Sequence, residues 1–162
     1  MSVFTKRNAA GAGMAAMLLA LPLVSKYEGL RTIAYRDAVG VPTVCYGETA
    51  GVKMGDKYTV EQCKKMLLES LPKYAAQIAP CIKPEIPDSM RAALISFSYN
   101  LGPGWVCKGP VRRNLDAGNL KGACDAMLGF DTARDRRTGE RVRLRGLTIR
   151  RNEERALCRA DL

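Results

Sequence analysis

KYEGLRTIAYRDAVGVPTVCYG, residues 26–47, is the stretch whose reading decides the fold. Gly29, Gly40, Pro42 and Gly47 punctuate short runs of β-forming residues, Thr32, Ile33 and Tyr35 in the first and Val39, Val41, Val44 and Tyr46 in the second. That punctuation predicts a small antiparallel sheet. Eight residues separate Glu28 from Asp37, and five separate Asp37 from Thr43. If Glu28 closes a preceding helix, the two carboxylates and the hydroxyl meet where helix and sheet join, with one acid on each side of a cleft. Glycoside hydrolysis uses such a pair. A Glu and an Asp at this spacing mean little by themselves, because acids are mostly solvated surface charge.

Outward from that stretch, length and composition limit the options. The 162 residues fit a single domain with a core of its own. With 47% hydrophobic and 26% charged residues the composition is ordinary for a globular chain. The 26 Lys and Arg outweigh 16 Asp and Glu, giving a net charge of +10. Such a surface favours polyanionic partners without choosing among nucleic acid, anionic lipid and cell wall. There is no histidine. A Ser-His-Asp triad, a Cys-His pair and an H-E-x-x-H zinc site are therefore excluded. Carboxylate chemistry remains.

Glu28, Asp37 and Thr43 fall without a gap on the pattern Glu, eight residues, Asp, five residues, Thr, and here the chain resembles the phage lysozymes of glycoside hydrolase family 24. The likeness continues through GVPTVCYGET, SFSYNLGPGW and the terminal GLTIRRNEERALC, and spans roughly residues 25 to 158. It implies an α+β, mostly helical lysozyme-like fold with a small sheet and a helical lobe. It also implies a muramidase that hydrolyses the β-1,4 bond between N-acetylmuramic acid and N-acetylglucosamine in peptidoglycan, with inversion and without metal or organic cofactor. Glu28 would be the general acid, Asp37 would orient or activate water or stabilise the oxocarbenium-like transition state, and Thr43 would hold the water. The alternative is a non-catalytic basic protein that binds cell wall or membrane.

Residues 1–25 read as a distinct segment ahead of a catalytic domain at 26–162. Lys6 and Arg7 precede an uncharged stretch in which 9–24 is almost wholly apolar, with eight Ala or Gly. As a helix those sixteen residues span about 24 Å, short of the roughly 30 Å hydrocarbon core. The basic front places the N-terminus in the cytoplasm and the remainder outside. A cleaved signal peptide is disfavoured because LALPLVS offers no A-x-A site. A buried core helix is the plain alternative. The resemblance favours a signal-anchor-release segment, as in a subclass of phage endolysins, which sits in the host inner membrane through residues 9–24 and then frees the enzyme to the periplasm.

Further along, Thr59 with Gln62 predicts a capping box for a helix reaching Ile78, stopped by Pro80. Met90, Ala93, Leu94 and Phe97 recur at helical spacing as core, and Gly102 with Pro103 ends that helix. Shorter helices are expected at 111–116, 120–128 and 147–158. Nine arginines lie between Arg134 and Arg155. The aromatic interleaving of a single-strand binder is missing there, so nucleic acid is not expected as a partner. A hairpin or loop offering Arg to an anionic wall polymer or lipid headgroups, or a merely solvated face, fits the run. The family usually has Trp near Phe130 and a shorter, less basic linker. A monomer is expected.

Six cysteines, Cys45, Cys63, Cys81, Cys107, Cys124 and Cys158, contain no C-x-x-C pair. An even count in an exported domain suggests disulfides, and six thiols permit fifteen pairings. The resemblance pairs Cys81 with Cys107 across the central helix; Cys45 with Cys63 and Cys124 with Cys158 are the pairs then proposed for the rest.

Overall fold

The computed structural model describes residues 9–162, with side chains from residue 13 onward; Lys6 and Arg7, on which the expected orientation rests, lie outside the described residues. The first helix, α1 (Ala9–Glu28), ends on Glu28, and Gly29 supplies the left-handed turn (φ 69°) that leads into the sheet. Ala16, Met17, Ala20 and Val24 are buried at helical spacing, and α1 packs against α2 (Val60–Ile78), α3 (Asp88–Leu101) and α7 (Arg145–Arg159). Its outer side is apolar as well, with Met14 60% and Leu18 55% exposed. Among the described residues, no helix is long and apolar enough to cross a membrane.

Strand β1 (Arg31–Arg36) pairs antiparallel with β2 (Pro42–Cys45), Tyr35 standing opposite Thr43. Residues 56–58 extend this ribbon, Tyr58 N–H donating to Thr32 O and Ala34 N–H to Asp56 O, each at 2.9 Å. The capping box of α2 is formed: Thr59 Oγ1 accepts from Gln62 N–H at 3.1 Å while Thr59 N–H donates to Gln62 Oε1 at 2.7 Å. Helix α3 is the centre of the molecule. Ser89, Met90 and the whole run from Ala92 to Ser98 are buried, as expected of a helix enclosed on all sides.

The helical lobe continues through α4 (Gly104–Cys107), α5 (Gly109–Asp116) and α6 (Leu120–Ala126). Expected helix at 120–128 tightens into a 3-10 turn at Met127–Gly129. The short α4, which sequence periodicity did not mark, follows Pro103 at its N-terminal flank, straight after the positive-φ turn at Gly102. The Arg-rich run forms a second two-stranded sheet, β3 (Thr132–Arg134) with β4 (Arg141–Arg143), where only one sheet was expected. Its turn closes because Asp135 Oδ1 accepts from Arg137 N–H and Thr138 N–H at 2.7 and 3.1 Å. Bridges join Cys45 to Cys63, Cys81 to Cys107 and Cys124 to Cys158, the pairs named above.

Candidate active site

Glu28 leaves the C-terminal end of α1 with its side chain 21% exposed, and Arg150 NH1 donates to its Oε1 at 2.7 Å. Arg150 is itself held on three sides. Its Nε donates to Glu154 Oε1 at 3.1 Å and its NH2 to Ser96 O at 3.2 Å, while its guanidinium stands 5.3 Å from the Tyr27 ring centre. Glu154 is fully buried, accepts from the Ser96 hydroxyl at 2.8 Å, and pairs with Arg151 at 2.9 Å. Arg151 in turn donates to Asn100 Oδ1 at 2.9 Å and lies over Phe97. Burial pushes the Glu154 carboxyl up, and Arg151, Arg150 and Ser96 hold it back. Removing one member of such a buried network strands the others, so each fixes the next.

Asp37 occupies the turn joining β1 to β2. Its Oδ1 accepts from Val39 N–H and Val41 N–H, both at 2.9 Å, which shapes the turn and leaves Oδ2 with no protein partner among the described residues. Thr43 is 3% exposed and donates from Oγ1 to Val41 O at 2.9 Å. Its lone pairs are then what it can offer a water. Asp37 and Thr43 are thus tied to one hairpin through Val41, while Glu28 is tied to α7. Among the described residues no hydrogen bond joins the two groups. Such a division puts one acid at a helix end and the other in a hairpin turn, each held by its own partners.

Below the hairpin a second polar cluster supports β2. Ser70 donates to both Glu48 oxygens at 2.8 and 2.9 Å, and Tyr99 OH donates to Tyr46 O at 2.8 Å. The Tyr99 phenol is pushed far above its ordinary range by burial first, then by the carboxylates of Glu48 and Glu28. Tyr74, packed 4.8 Å from Tyr99 between ring centres, is raised for the same reasons. Cys45 sits here at φ 59°, a conformation rare for a side-chain-bearing residue, and its bridge to Cys63 anchors the end of β2 to α2.

Arg150, Glu154 and Ser96 escaped the sequence reading, which counted Arg150 within a basic run. The signal was present: Arg150 and Arg151 stand four and three residues ahead of Glu154, the spacing of helical ion pairs.

Residues 25–154 match the family model described as Phage lysozyme. The chain belongs to the phage lysozyme family. Among its relatives, this phage lysozyme is 40% identical over 132 residues to a SAR-endolysin of Bacteriophage PS119, covering 81% of this chain and 75% of that one. It superposes on an endolysin from Escherichia coli O157:H7 phage FAHEc1 with a TM-score of 0.77 at 30% identity, over 89% of this chain and 92% of the other. The muramidase domain of SpmX from Asticaccaulis excentricus gives a TM-score of 0.80 at 25% identity, over 86% and 94%. Family membership makes the chain a glycoside hydrolase of the lysozyme type and peptidoglycan its substrate class.

Proposed function

We propose that the chain is a phage endolysin, a muramidase in which Glu28 is the general acid, Asp37 the second carboxylate and Thr43 the residue that holds the attacking water. The carrying observation is the placement of Glu28: the last residue of α1, gripped at Oε1 by a buried arginine and joined through the Gly29 turn to the hairpin that holds Asp37 and Thr43 together. With Oε1 bound to Arg150, Oε2 is the oxygen that delivers a proton to the leaving glycosidic oxygen. Asp37, anchored at Oδ1, presents Oδ2 to the water or to the positive charge that builds on the sugar. NMR of the first products from sacculi tests the stereochemistry. Inversion is expected; products that keep the β configuration would replace the water-activating role of Asp37 with a nucleophilic one.

The same reading assigns residues 1–25 to a signal-anchor-release segment and 26–162 to the catalytic domain. Its support is α1 itself. A helix on a protein surface normally turns a polar side to water, whereas α1 is apolar on the side that meets the core and on the side that does not. Such a helix suits two environments in turn, the host inner membrane and then the domain. While α1 is in lipid, Glu28 is drawn toward the apolar boundary and away from Arg150, so the tethered enzyme is inactive. Release to the periplasm lets α1 seat Ala16, Ala20 and Val24 in the core and brings Glu28 to Arg150. The released enzyme acts as a monomer.

A further inference from the structure

The hairpin of β3 and β4 and the first residue of α7 carry six arginines, at 134, 136, 137, 141, 143 and 145, against Asp135 and Glu140. All six are exposed. Among the described residues only Arg143 is paired with a carboxylate, that of Asp131 at 2.8 Å. Asp135 is engaged by its own turn. Strand β4 is exposed on both faces, so the hairpin covers no core, and a two-stranded ribbon of that kind is at best marginal alone. Arg145 opens α7, which has no acid in its first turn, the reverse of what the helix dipole favours. Arg134 and Arg141 brace the ribbon, donating to Gly139 O at 3.1 Å and to Thr132 Oγ1 at 2.7 and 3.1 Å, whereas the guanidinium groups of Arg136, Arg137 and Arg145 have no hydrogen-bond or carboxylate partner among the described residues.

Their location is defined by the base of the hairpin. Asp131 is buried; it takes Arg143 and the Thr148 hydroxyl on Oδ2 and the Leu144 N–H on its carbonyl, at 2.8 to 3.0 Å. From Arg145 to the Arg150 that grips Glu28 is a rise of about 7.5 Å along α7. Next to the base, Phe130 packs edge-on against Trp105, which is 49% exposed. Phe130 with Trp105 and the hairpin arginines thus sit at the N-terminal end of α7, the end nearer to Arg150.

We propose that this hairpin is a second substrate-binding surface, which takes the free carboxylates of the peptide stems attached to the glycan. The inference rests on the muramidase reading above. The sugar backbone is neutral, and the stems carry its negative charge at regular intervals. Guanidinium forks pair with carboxylates through two parallel hydrogen bonds. Anionic lipid is the less favoured partner on geometric grounds. Helices α1 and α7 run antiparallel, Glu28 meeting Arg150 and Lys26 meeting Glu153. The exposed apolar side of α1 at Leu18, about 15 Å up the helix from Glu28, therefore lies toward the end of α7 away from Arg145, and the basic and apolar surfaces do not adjoin.

Cosedimentation of the full chain with purified sacculi tests the proposal, comparing the parent with the triple variant Arg136→Gln, Arg137→Gln, Arg145→Gln. A second batch of sacculi has its stem carboxylates amidated chemically. The parent is expected to bind intact sacculi about tenfold more tightly than amidated ones, with the difference shrinking as salt rises. The triple variant is expected to bind both alike, and the corresponding Lys variant to recover part of the difference. Parent-like binding of the Gln variant to intact sacculi overturns the proposal, as does indifference of the parent to amidation. Loss of binding to anionic phospholipid vesicles without loss on sacculi assigns the hairpin to lipid instead and also overturns it. Both proteins carry Glu28→Gln in the binding assay, so the sacculi stay intact, and failure of the muramidase reading shows separately, as absent reducing ends in a digest by the protein that keeps Glu28.

Discussion

Arg150 carries a positive charge with only 3% of its side chain exposed, and that is tolerable because Glu28, Glu154 and the Ser96 carbonyl surround it. Lysine at this position keeps the charge but lacks the planar fork, so it cannot serve three acceptors in their present directions. Arg150→Lys is therefore expected to lower kcat by about 100-fold through misplacement of the acid, with little change in KM. Equal kcat for the two proteins would remove Arg150 from the positioning of Glu28. Arg150→Ala strands Glu154 and is expected to cost about 3 to 5 kcal/mol of stability as well, readable by urea unfolding. Glu28, Asp37 and Thr43 were proposed at this scale from a fixed spacing and its flanking motifs. Arg150 was not, since one arginine among nine looks the same in sequence whether it faces solvent or a buried carboxylate.

At the scale of elements, α1 is the piece whose placement decides the site. Ala16 and Ala20 are fully buried, so a larger side chain at either has to displace its neighbours. Ala20→Leu is expected to cost about 1 to 3 kcal/mol by overpacking. Gly13 differs: a Cβ there meets nothing within 4 Å. Gly13→Leu adds apolarity without disturbing the packed domain, and is expected to raise the fraction of enzyme in the membrane pellet and delay lysis while leaving the activity of released protein unchanged. Faster lysis by that variant would contradict control by release.

Ion pairs within and between elements add a pH dependence. Lys26 donating to Glu153, Arg112 to Asp116 and Arg155 to Asp125 hold those carboxyls below their usual range. Groups lowered by folding contribute stability that is present above about pH 4 and is lost as pH falls through their folded values. Tm is expected to decline below about pH 4, and Glu153→Gln to flatten part of that decline. A Tm that rises on acidification would contradict these pairings. The pairs are exposed, so the effect of each is small.

For the whole molecule, the architecture was readable where periodicity and punctuation are strong. The helices α2 and α3 were marked by a capping box, a proline stop and an apolar face that recurs at helical spacing, and the sheet by glycines between β-forming runs. What could not be read was pairing at a distance. The Arg-rich segment looks alike as loop or hairpin because β3 and β4 have no buried face to impose alternation, and their register comes from the Asp135 turn and the Asp131 base. The disulfides had the same difficulty: three bridges at sequence separations of 18, 26 and 34 leave no local trace; Cys81 with Cys107 came from the family resemblance, and the other two pairs only completed the set.

The proposed mechanism depends on Glu28 as the proton donor at the end of α1. Its most direct test is the release of reducing ends from purified sacculi by the parent and by Glu28→Gln, with circular dichroism of both to verify the fold. The amide matches the acid in shape but has no strong proton to give, so the variant is expected to fold like the parent and to lose activity by a factor of about 100 or more. A folded Glu28→Gln that releases reducing ends at the parent's rate would contradict the assignment.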